Sequence, residues 1–207
     1  MVTVGRPRGV EDTAILRATA QVMGRVGPPG LTLAAVAREV GLVPATLVQR
    51  FGSKHGLLLA LADQAEKDMT EMAERVRRSH ESALGALTAL TVESVAAMAT
   101  PESFANHLAF LCMDLGDPQL YERALAIHRT QKRMIEDLLT EAISGGELRA
   151  GGDAVALART VQAVVAGAGL TWALEREGRL EQRIRQELDA VLSPHIPSLT
   201  SHNPEES

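Results

Sequence analysis

The sequence predicts an all-α protein with two helical units in series. Apolar residues recur at spacings of three and four through most of the chain, which is the period of a helix with one buried face. Pro and Gly cluster between these runs, at 27–30, 116–118 and 145–152, where they end helices. Charge also divides the chain. Residues 1–56 hold seven Lys/Arg against three Asp/Glu, a net of +4, and the remainder holds 14 against 23, a net of −9.

The composition is that of a globular protein. With 207 residues and 45% apolar content, the chain is long and apolar enough to bury a substantial core. No window of 18 or more uninterrupted apolar residues occurs, and no apolar segment follows the N-terminal charges, so neither a membrane span nor a secretory signal is expected. The single cysteine, Cys112, excludes an intrachain disulfide and fits a reducing compartment, so the cytoplasm is the predicted location.

The stretch 31–54 predicts two short helices joined by a tight turn. Thr32 is placed to cap the first helix, and Gly41 follows it where a left-handed residue is common. Pro44 has the backbone angle favoured at the first position of the second helix. The apolar stripes consist of Leu33, Val36, Ala37 and Val40 in the first helix, and of Leu47, Val48 and Phe51 in the second. This arrangement is that of a helix-turn-helix.

The second helix of this pair presents small, polar and cationic residues on its other face. Such a surface fits the major groove of DNA and its phosphate walls. We predict phosphate contacts for Thr46 and Lys54, and sequence choice from Gln49, Arg50 and the Pro44–Ala45 edge. The alternative is a helical hairpin whose charges are only solvated. The predicted DNA-binding residues of the pair are Thr32, Pro44, Ala45, Thr46, Gln49, Arg50 and Lys54.

These motifs resemble the TetR family of transcriptional regulators. The resemblance rests on the capping Thr32, on A-x-x-V-G-L at the turn, and on A-T-L-x-x-R-F-x-S-K before an apolar helix. It is close over the first quarter of the chain and extends to the connector G-E-L-x(4)-D at 146–153. The family usually has Tyr where this chain has Val48, and often an aromatic residue or His at Gln49. The backbone contact of that Tyr is therefore absent here, and Gln49 and Arg50 are the candidates to compensate.

Residues 1–9 predict a flexible basic arm. Arg6-Pro7-Arg8 lies between glycines, as in the core of an AT-hook, whose Arg side chains enter a narrow minor groove. Arg6 and Arg8 are therefore candidate DNA contacts. A disordered tail with incidental charges explains the same residues equally well.

The remaining helices fall into two predicted domains. A first helix at 12–26 supports the helix-turn-helix, giving a three-helix DNA-binding domain at 10–56. The helical ligand-binding and dimerisation domain covers 57–193, and its helices are antiparallel. A disordered tail is predicted for 194–207. Predicted helices of the C-terminal part span about 54–79, 82–98, 101–115, 119–144, 153–177 and 180–192. Because the helix at 54–79 is shared by both domains, it is the predicted lever between DNA and effector.

The last two helices predict a dimer interface. The helix at 153–177 is apolar nearly all round and needs cover on more than one side. Together with 180–192 it could form a four-helix contact with a symmetry mate, or both helices could simply close the core of one chain. The predicted interface residues are Val161, Val165, Trp172, Ile184, Leu188 and Val191.

One predicted helix, 101–115, concentrates aromatic and polar side chains. Mostly apolar walls with a few polar groups describe a small-molecule pocket, and they also describe an ordinary core helix. The predicted effector-binding residues are Phe104, Asn106, His107, Phe110 and Met113, with Trp172 from a later helix.

No pattern in the sequence supports catalysis. The six histidines lack metal-ligand spacing, and neither a G-x-S-x-G nor a Walker motif occurs, so no metal and no cofactor are predicted. We therefore expect a ligand-responsive repressor that binds a pseudo-palindromic DNA operator as a homodimer and responds to an unidentified small-molecule effector. The alternative is a helical protein-interaction module without an operator, and the charge division favours the repressor.

Overall fold

The computed structural model describes residues 10–197. This part of the chain is all-α, as predicted, and contains two short 3-10 turns besides its α-helices. The α-helices are α1 (Asp12–Gly30), α2 (Leu33–Glu39), α3 (Pro44–Phe51), α4 (Lys54–Ser79), α5 (Ala83–Ser94), α6 (Pro101–Asp114), α7 (Pro118–Ser144), α8 (Ala154–Glu175) and α9 (Leu180–Leu192).

Helix boundaries follow the predictions closely except at α1 and α5. Helix α1, predicted to end at residue 26, loses its regular backbone angles at Gly27 but continues through a final turn to Gly30. The run predicted to continue to residue 98 ends at Ser94, and a separate 3-10 turn covers Ala96–Met98. The hydroxyls of Thr88, Thr91 and Ser94 donate to carbonyls three or four residues earlier, which competes with the regular helical bonds. This repeated back-bonding gives a physical reason for the early end of the helix.

The N-terminal core extends beyond the predicted domain boundary at residue 56. Side chains from α1, α2 and α3 pack with Leu57 and Leu58 of α4, and also with Phe110 of α6 and Leu120 of α7. A second core joins α4, α5, α7, α8 and α9, and a third and smaller core surrounds Trp172. The helix-turn-helix unit is therefore completed by side chains from the C-terminal part of the chain.

The predicted tail begins later than expected. Residues Ser193–His195 form a 3-10 turn, and the His195 carbonyl accepts a hydrogen bond from the Arg149 amide at 2.8 Å. The prediction of disorder from residue 194 is therefore wrong for 194–197, because this bond ties the segment to the connector before α8. The predicted arm at 1–9 and the remainder of the predicted tail lie outside the described residues.

Helix α8 is the one described helix with the length and composition to cross a membrane. A core helix of a globular protein passes the same test, and α8 packs against α6, α7 and α9. Only 28% of its 18-residue apolar window is buried within this chain, however. Much of its apolar surface is thus left uncovered by the fold.

The N-terminus of α5 is capped by a carboxylate distant in sequence. Glu147, in the connector before α8, accepts hydrogen bonds from the amides of Ala83 and Leu84 at 2.7 and 3.1 Å, and from Ser82 Oγ at 2.5 Å. Burial raises the pKa of the Glu147 carboxyl, but these hydrogen bonds and the nearby Arg77 outweigh it, so the pKa lies below its ordinary value. The connector is thereby fixed to the start of α5.

We expect Glu147→Gln to destabilise the protein by about 1 kcal/mol, the usual cost of losing a helix cap. Because the folded-state pKa is lowered, the contribution is fully present above the unfolded pKa and is lost as pH falls through the folded pKa. Denaturant unfolding at pH 7 and in mild acid measures both effects. Glu122→Gln, at an exposed position of α7, is the control. A destabilisation by Glu147→Gln that stayed constant into acid would contradict the assignment.

Candidate DNA-binding surface and effector region

The helix-turn-helix forms as the sequence predicts. Thr32 Oγ1 accepts a hydrogen bond from the Ala35 amide at 3.1 Å, so the predicted cap of α2 is confirmed. Gly41 has φ of +67°, the left-handed conformation expected after α2. The Leu42 amide then bonds to the Ala37 carbonyl at 2.8 Å, which closes the turn. Pro44 begins α3 in its first turn.

Burial fixes which face of α3 points outward. Leu47 is fully buried, and it packs in the N-terminal core with Val36 and Ala37 of α2. On the opposite side Pro44, Ala45 and Gln49 are exposed, while Thr46 is half-buried. The predicted groove-facing residues of α3 therefore share one accessible surface, with the exception of Arg50 discussed next.

Arg50 and Lys54 both have partners within the chain. The Arg50 guanidinium donates to the Val10 carbonyl and to Asp12 Oδ1, the latter at 3.0 Å. It thus reaches back to the start of α1. Lys54 Nζ donates to the Pro28 carbonyl at 3.1 Å and ties the start of α4 to the end of α1. Both cations hold the three-helix unit together.

An ion pair also joins α1 to α2. Arg25 donates to Glu39 Oε2 at 2.6 Å on the protein surface. This hydrogen bond and the accompanying charge attraction lower the pKa of Glu39 and raise that of Arg25. Glu39 is the one acidic residue of α2, so its pairing reduces negative charge beside the surface proposed to meet phosphates.

The structure does not bring the six predicted effector residues into one pocket. Phe110 is 3% exposed and lies in the N-terminal core, whereas Met113 is 48% exposed. Asn106 and His107 contact α1. Phe104 and Trp172 form an edge-to-face pair with ring centroids 6.5 Å apart. The predicted grouping is wrong because α6 packs against α1, α7 and α8, so residues spaced around it face different neighbours.

Two open grooves lie along α4, with volumes near 480 and 440 Å³. Both are lined mainly by charged side chains, and neither is lined by a predicted effector residue. The lining residues of the larger groove are Arg17, Asp68, Glu71, Met72, Glu74, Arg75 and Arg78, and those of the smaller are Asp63, Glu66, Lys67 and Thr70. These grooves lack the apolar walls expected of the predicted pocket.

The predicted dimer residues lie mostly inside a single chain. Val161, Ile184 and Leu188 are 0% exposed, and Trp172 is 3% exposed with its indole N–H donating to the Gly178 carbonyl at 3.2 Å. Partly buried Val165 and Val191 pack against the second core. The predicted list therefore describes the surfaces by which α8 and α9 pack inside one chain. The face of α8 left open contains Ala163, Ala166, Gly167, Leu170 and Leu174.

Two family models match the sequence. The model of bacterial regulatory proteins of the tetR family covers residues 15–61, and that of the C-terminal part of BetI-type transcriptional repressors covers residues 83–196. The chain belongs to the TetR family. Members of this family are DNA-binding transcriptional regulators rather than enzymes, and they respond to small-molecule ligands.

The fold is shared with solved TetR-family structures. A TetR transcription regulator from Haloarcula marismortui is 17% identical, with a TM-score of 0.74 over 90% of this chain and 98% of that one. SmeT, the repressor of the Stenotrophomonas maltophilia efflux pump SmeDEF, is 21% identical, with a TM-score of 0.67 over 92% of each chain. FadR from Bacillus subtilis, in complex with stearoyl-CoA, is 18% identical, with a TM-score of 0.63 over 88% and 98%. No curated protein matches this chain in sequence.

The sequence did not identify two apolar residues that lie at the predicted DNA-binding surface of this TetR-family protein. Val48, assigned from its spacing to the buried stripe of α3, is 47% exposed, and Val43 before α3 is 62% exposed. Both border the accessible face of α3. The signal for Val48 was present in the sequence, since the family usually places a DNA-contacting Tyr there. Arg6 and Arg8 lie outside the described residues.

Proposed function

We propose that this TetR-family regulator is a repressor that binds a pseudo-palindromic operator as a homodimer and releases it when a small molecule binds. The observation that supports this proposal is the helix-turn-helix. In its helix α3, Leu47 is buried while Pro44, Ala45 and Gln49 are exposed. In this motif the second helix enters the major groove. DNA binding places its site of action in the cytoplasm.

Sequence reading is assigned to the exposed edge of α3. Gln49 has an amide that can bond bidentately to adenine, and Val43 and Val48 offer apolar contact to thymine methyl groups. Arg50 reaches bases only if its bonds to Val10 and Asp12 break. We therefore give Gln49 and the valines the larger share of base reading. Thr46 and Lys54 contact phosphates, and Arg6 and Arg8 of the arm enter the adjacent minor groove.

We expect Lys54→Ala to weaken binding to all DNA sequences alike and to reduce the salt slope of binding by about one, because one phosphate contact is lost. Gln49→Ala should instead change the preferred sequence at one position and cost about 1–3 kcal/mol there. Both variants are measured by fluorescence anisotropy on DNA selected by the wild-type protein.

The salt slope separates the two roles of Lys54. If Lys54 acts only through its bond to the Pro28 carbonyl, affinity falls while the slope stays unchanged. An unchanged slope would therefore overturn the phosphate assignment. If the wild-type protein selects no DNA, the hypothesis of a protein-interaction module is favoured instead.

The dimer is supported by the open face of α8. Ala163, Ala166, Gly167, Leu170 and Leu174 follow helical spacing on one side, and small residues there allow another helix to approach closely. Leu174 is 76% exposed, so an isolated chain would leave most of this apolar side chain in water. A symmetry mate would cover this face and supply the second α3 needed for two half-sites.

We expect Leu170→Glu to yield monomers that lose specific DNA binding, because dimerisation would bury the introduced carboxylate at the proposed interface. Leu111→Glu on α6 is the matched control, since Leu111 and Leu170 are 45% and 47% exposed. Analytical ultracentrifugation and anisotropy give the two readouts. A Leu170→Glu protein that remains dimeric would remove α8 from the interface, and a monomer that still binds specifically would remove the requirement for two half-sites.

The effector is proposed to be an apolar small molecule that binds near Phe104 and Trp172. These rings belong to the third core, which also includes Val95 and Met98 beside the 3-10 turn after α5. In FadR, a structural neighbour, stearoyl-CoA is the bound molecule. The acyl chain of that molecule is apolar although its coenzyme A part is charged, and we propose an effector with such an apolar part for this chain. Its entry must separate side chains that are in contact in the present structure.

Trp172 is the only tryptophan and gives a direct test. We expect any effector that lowers operator affinity to shift or quench Trp172 emission at the same concentration, because both effects report one binding event. Stearoyl-CoA is the first probe, and fluorescence and anisotropy titrations are compared. Release of DNA without a change in emission would place the effector elsewhere, and tighter DNA binding would turn the mechanism into co-repression.

A further inference from the structure

The outward face of α3 is formed by exposed side chains without charge. Its residues are, in chain order, Pro44, Ala45, Val48 and Gln49. Among their side chains, only the Gln49 amide can donate or accept a hydrogen bond. The one charged residue of α3, Arg50, is bonded instead to the start of α1. The groups that this face can offer to DNA are therefore mainly apolar.

Two valines border this face without contributing to the folded core. Val48 is 47% exposed, and Val43, immediately before α3, is 62% exposed. Neither packs against any of the three cores. A β-branched residue at an exposed helix position is unfavourable, because the helix restricts its χ1 angle without a gain in packing. Nothing within the described chain offsets that cost, whereas contact with a bound molecule would.

The backbone presents both valines rigidly. Val48 lies inside a helix, where the side chain of valine has essentially one χ1 rotamer. Val43 precedes Pro44, which restricts it to extended backbone, and its φ of −94° and ψ of 148° lie in that region. Methyl groups held in this way lose little conformational entropy when they make a contact.

Thymine is the base that offers an apolar group in the major groove. Its C5-methyl group projects there, whereas the other bases present hydrogen-bond donors and acceptors. A valine placed against such polar edges would remove water without replacing its hydrogen bonds. A valine placed against the thymine methyl group buries apolar surface on both molecules. Methylation of cytosine at C5 places the same group at the same ring position of the other pyrimidine.

We infer that Val43 and Val48 recognise the C5-methyl group of pyrimidines, so that 5-methylcytosine can supply the methyl contact of thymine. This inference rests on the proposed function and names the chemical group that the edge of α3 reads. Operator binding then becomes sensitive to cytosine methylation. Five residues of helix correspond to about 7.5 Å, more than one base-pair step of about 3.4 Å, so the two valines contact different pyrimidines.

The first test removes the methyl group from the DNA. Each thymine of a duplex selected by the wild-type protein is replaced in turn by deoxyuridine, which keeps the hydrogen-bonding groups and lacks only the C5-methyl group. We expect at least one replacement to weaken binding about fourfold, from about 0.8 kcal/mol per buried methyl-sized group and about 1.4 kcal/mol per tenfold. Fluorescence anisotropy measures the affinities.

The second test removes methyl groups from the protein. Val48→Ala should weaken binding to thymine DNA about fourfold but leave binding to the matching deoxyuridine DNA unchanged, because the contact is already absent there. Val43→Ala should do the same at a different thymine. Val26→Ala is the control, since Val26 is 39% exposed in α1, and we expect it to retain the full preference for thymine.

The stability of the variants separates a DNA contact from a folding defect. Alanine favours a helix more than valine does, so Val48→Ala should not lower the midpoint of denaturant unfolding while it lowers affinity for thymine DNA. A lower midpoint, with equal losses on thymine and deoxyuridine DNA, would assign Val48 a structural role and overturn the inference.

The third test exchanges the base pair at a contacted thymine. A C·G pair in place of T·A should weaken binding. Methylation of that cytosine at C5 should then raise the affinity of the wild-type protein about fourfold, and it should not raise the affinity of the matching alanine variant. A gain that persists in the variant would show that another residue reads the methyl group.

The outcomes distinguish this inference from the proposed function. If the wild-type protein selects no DNA, the proposed function fails and the inference fails with it. If it selects DNA but no deoxyuridine replacement weakens binding, only the inference is overturned. The same holds if the preference for thymine persists in both alanine variants, or if cytosine methylation leaves affinity unchanged. Alanine variants that bind every DNA as the wild type does would overturn it in favour of a protein partner on this face.

Discussion

The close approach of α6 to two other helices is the constraint on which the rest of the structure depends. Side chains of α6 contact backbone on both sides, at Gly24 and Gly27 in α1 and at Gly169 in α8. Such packing has little slack, because protein interiors are nearly as dense as organic crystals. The N-terminal core is also incomplete without Phe110. The DNA-binding unit is thus not an independent module attached by α4, and its geometry is set partly by the C-terminal helices.

Two cations of the DNA-binding unit contribute both positive charge and hydrogen bonds between helices. Arg50 and Lys54 bond to Val10, Asp12 and Pro28, so their charges lie near α3 while their hydrogen bonds stabilise α1 against α3 and α4. A positive field that attracts DNA needs charge but not free side chains, since attraction acts over roughly 10 Å at moderate salt. Under the proposed function, direct reading of bases then falls to the small, polar and apolar residues at the exposed edge of α3.

Helix α8 has two faces with different roles. One face carries Val161 and Trp172 into the cores formed with α7 and α9. The other is made of small and apolar residues that this chain leaves exposed, Leu174 most of all. A helix apolar nearly all round is stable in water only if both faces are covered. Dimerisation through the second face would place the N-terminal part of α6 near the interface, since Phe104 of α6 already rests on Gly169 of α8.

The sequence by itself determined the helices, the turn chemistry and the family, because these depend on local periods and on residues such as Thr32, Gly41 and Pro44. Only the tertiary structure decided which face of each helix was covered. Apolar spacing identified a stripe on α8 but not whether its partner was α9 or another chain, and it assigned exposed Val48 to the core. The prediction that the effector residues of α6 line one pocket was wrong for the same reason. Residues adjacent in sequence point towards different helices, and the position of those helices depends on contacts distant along the chain.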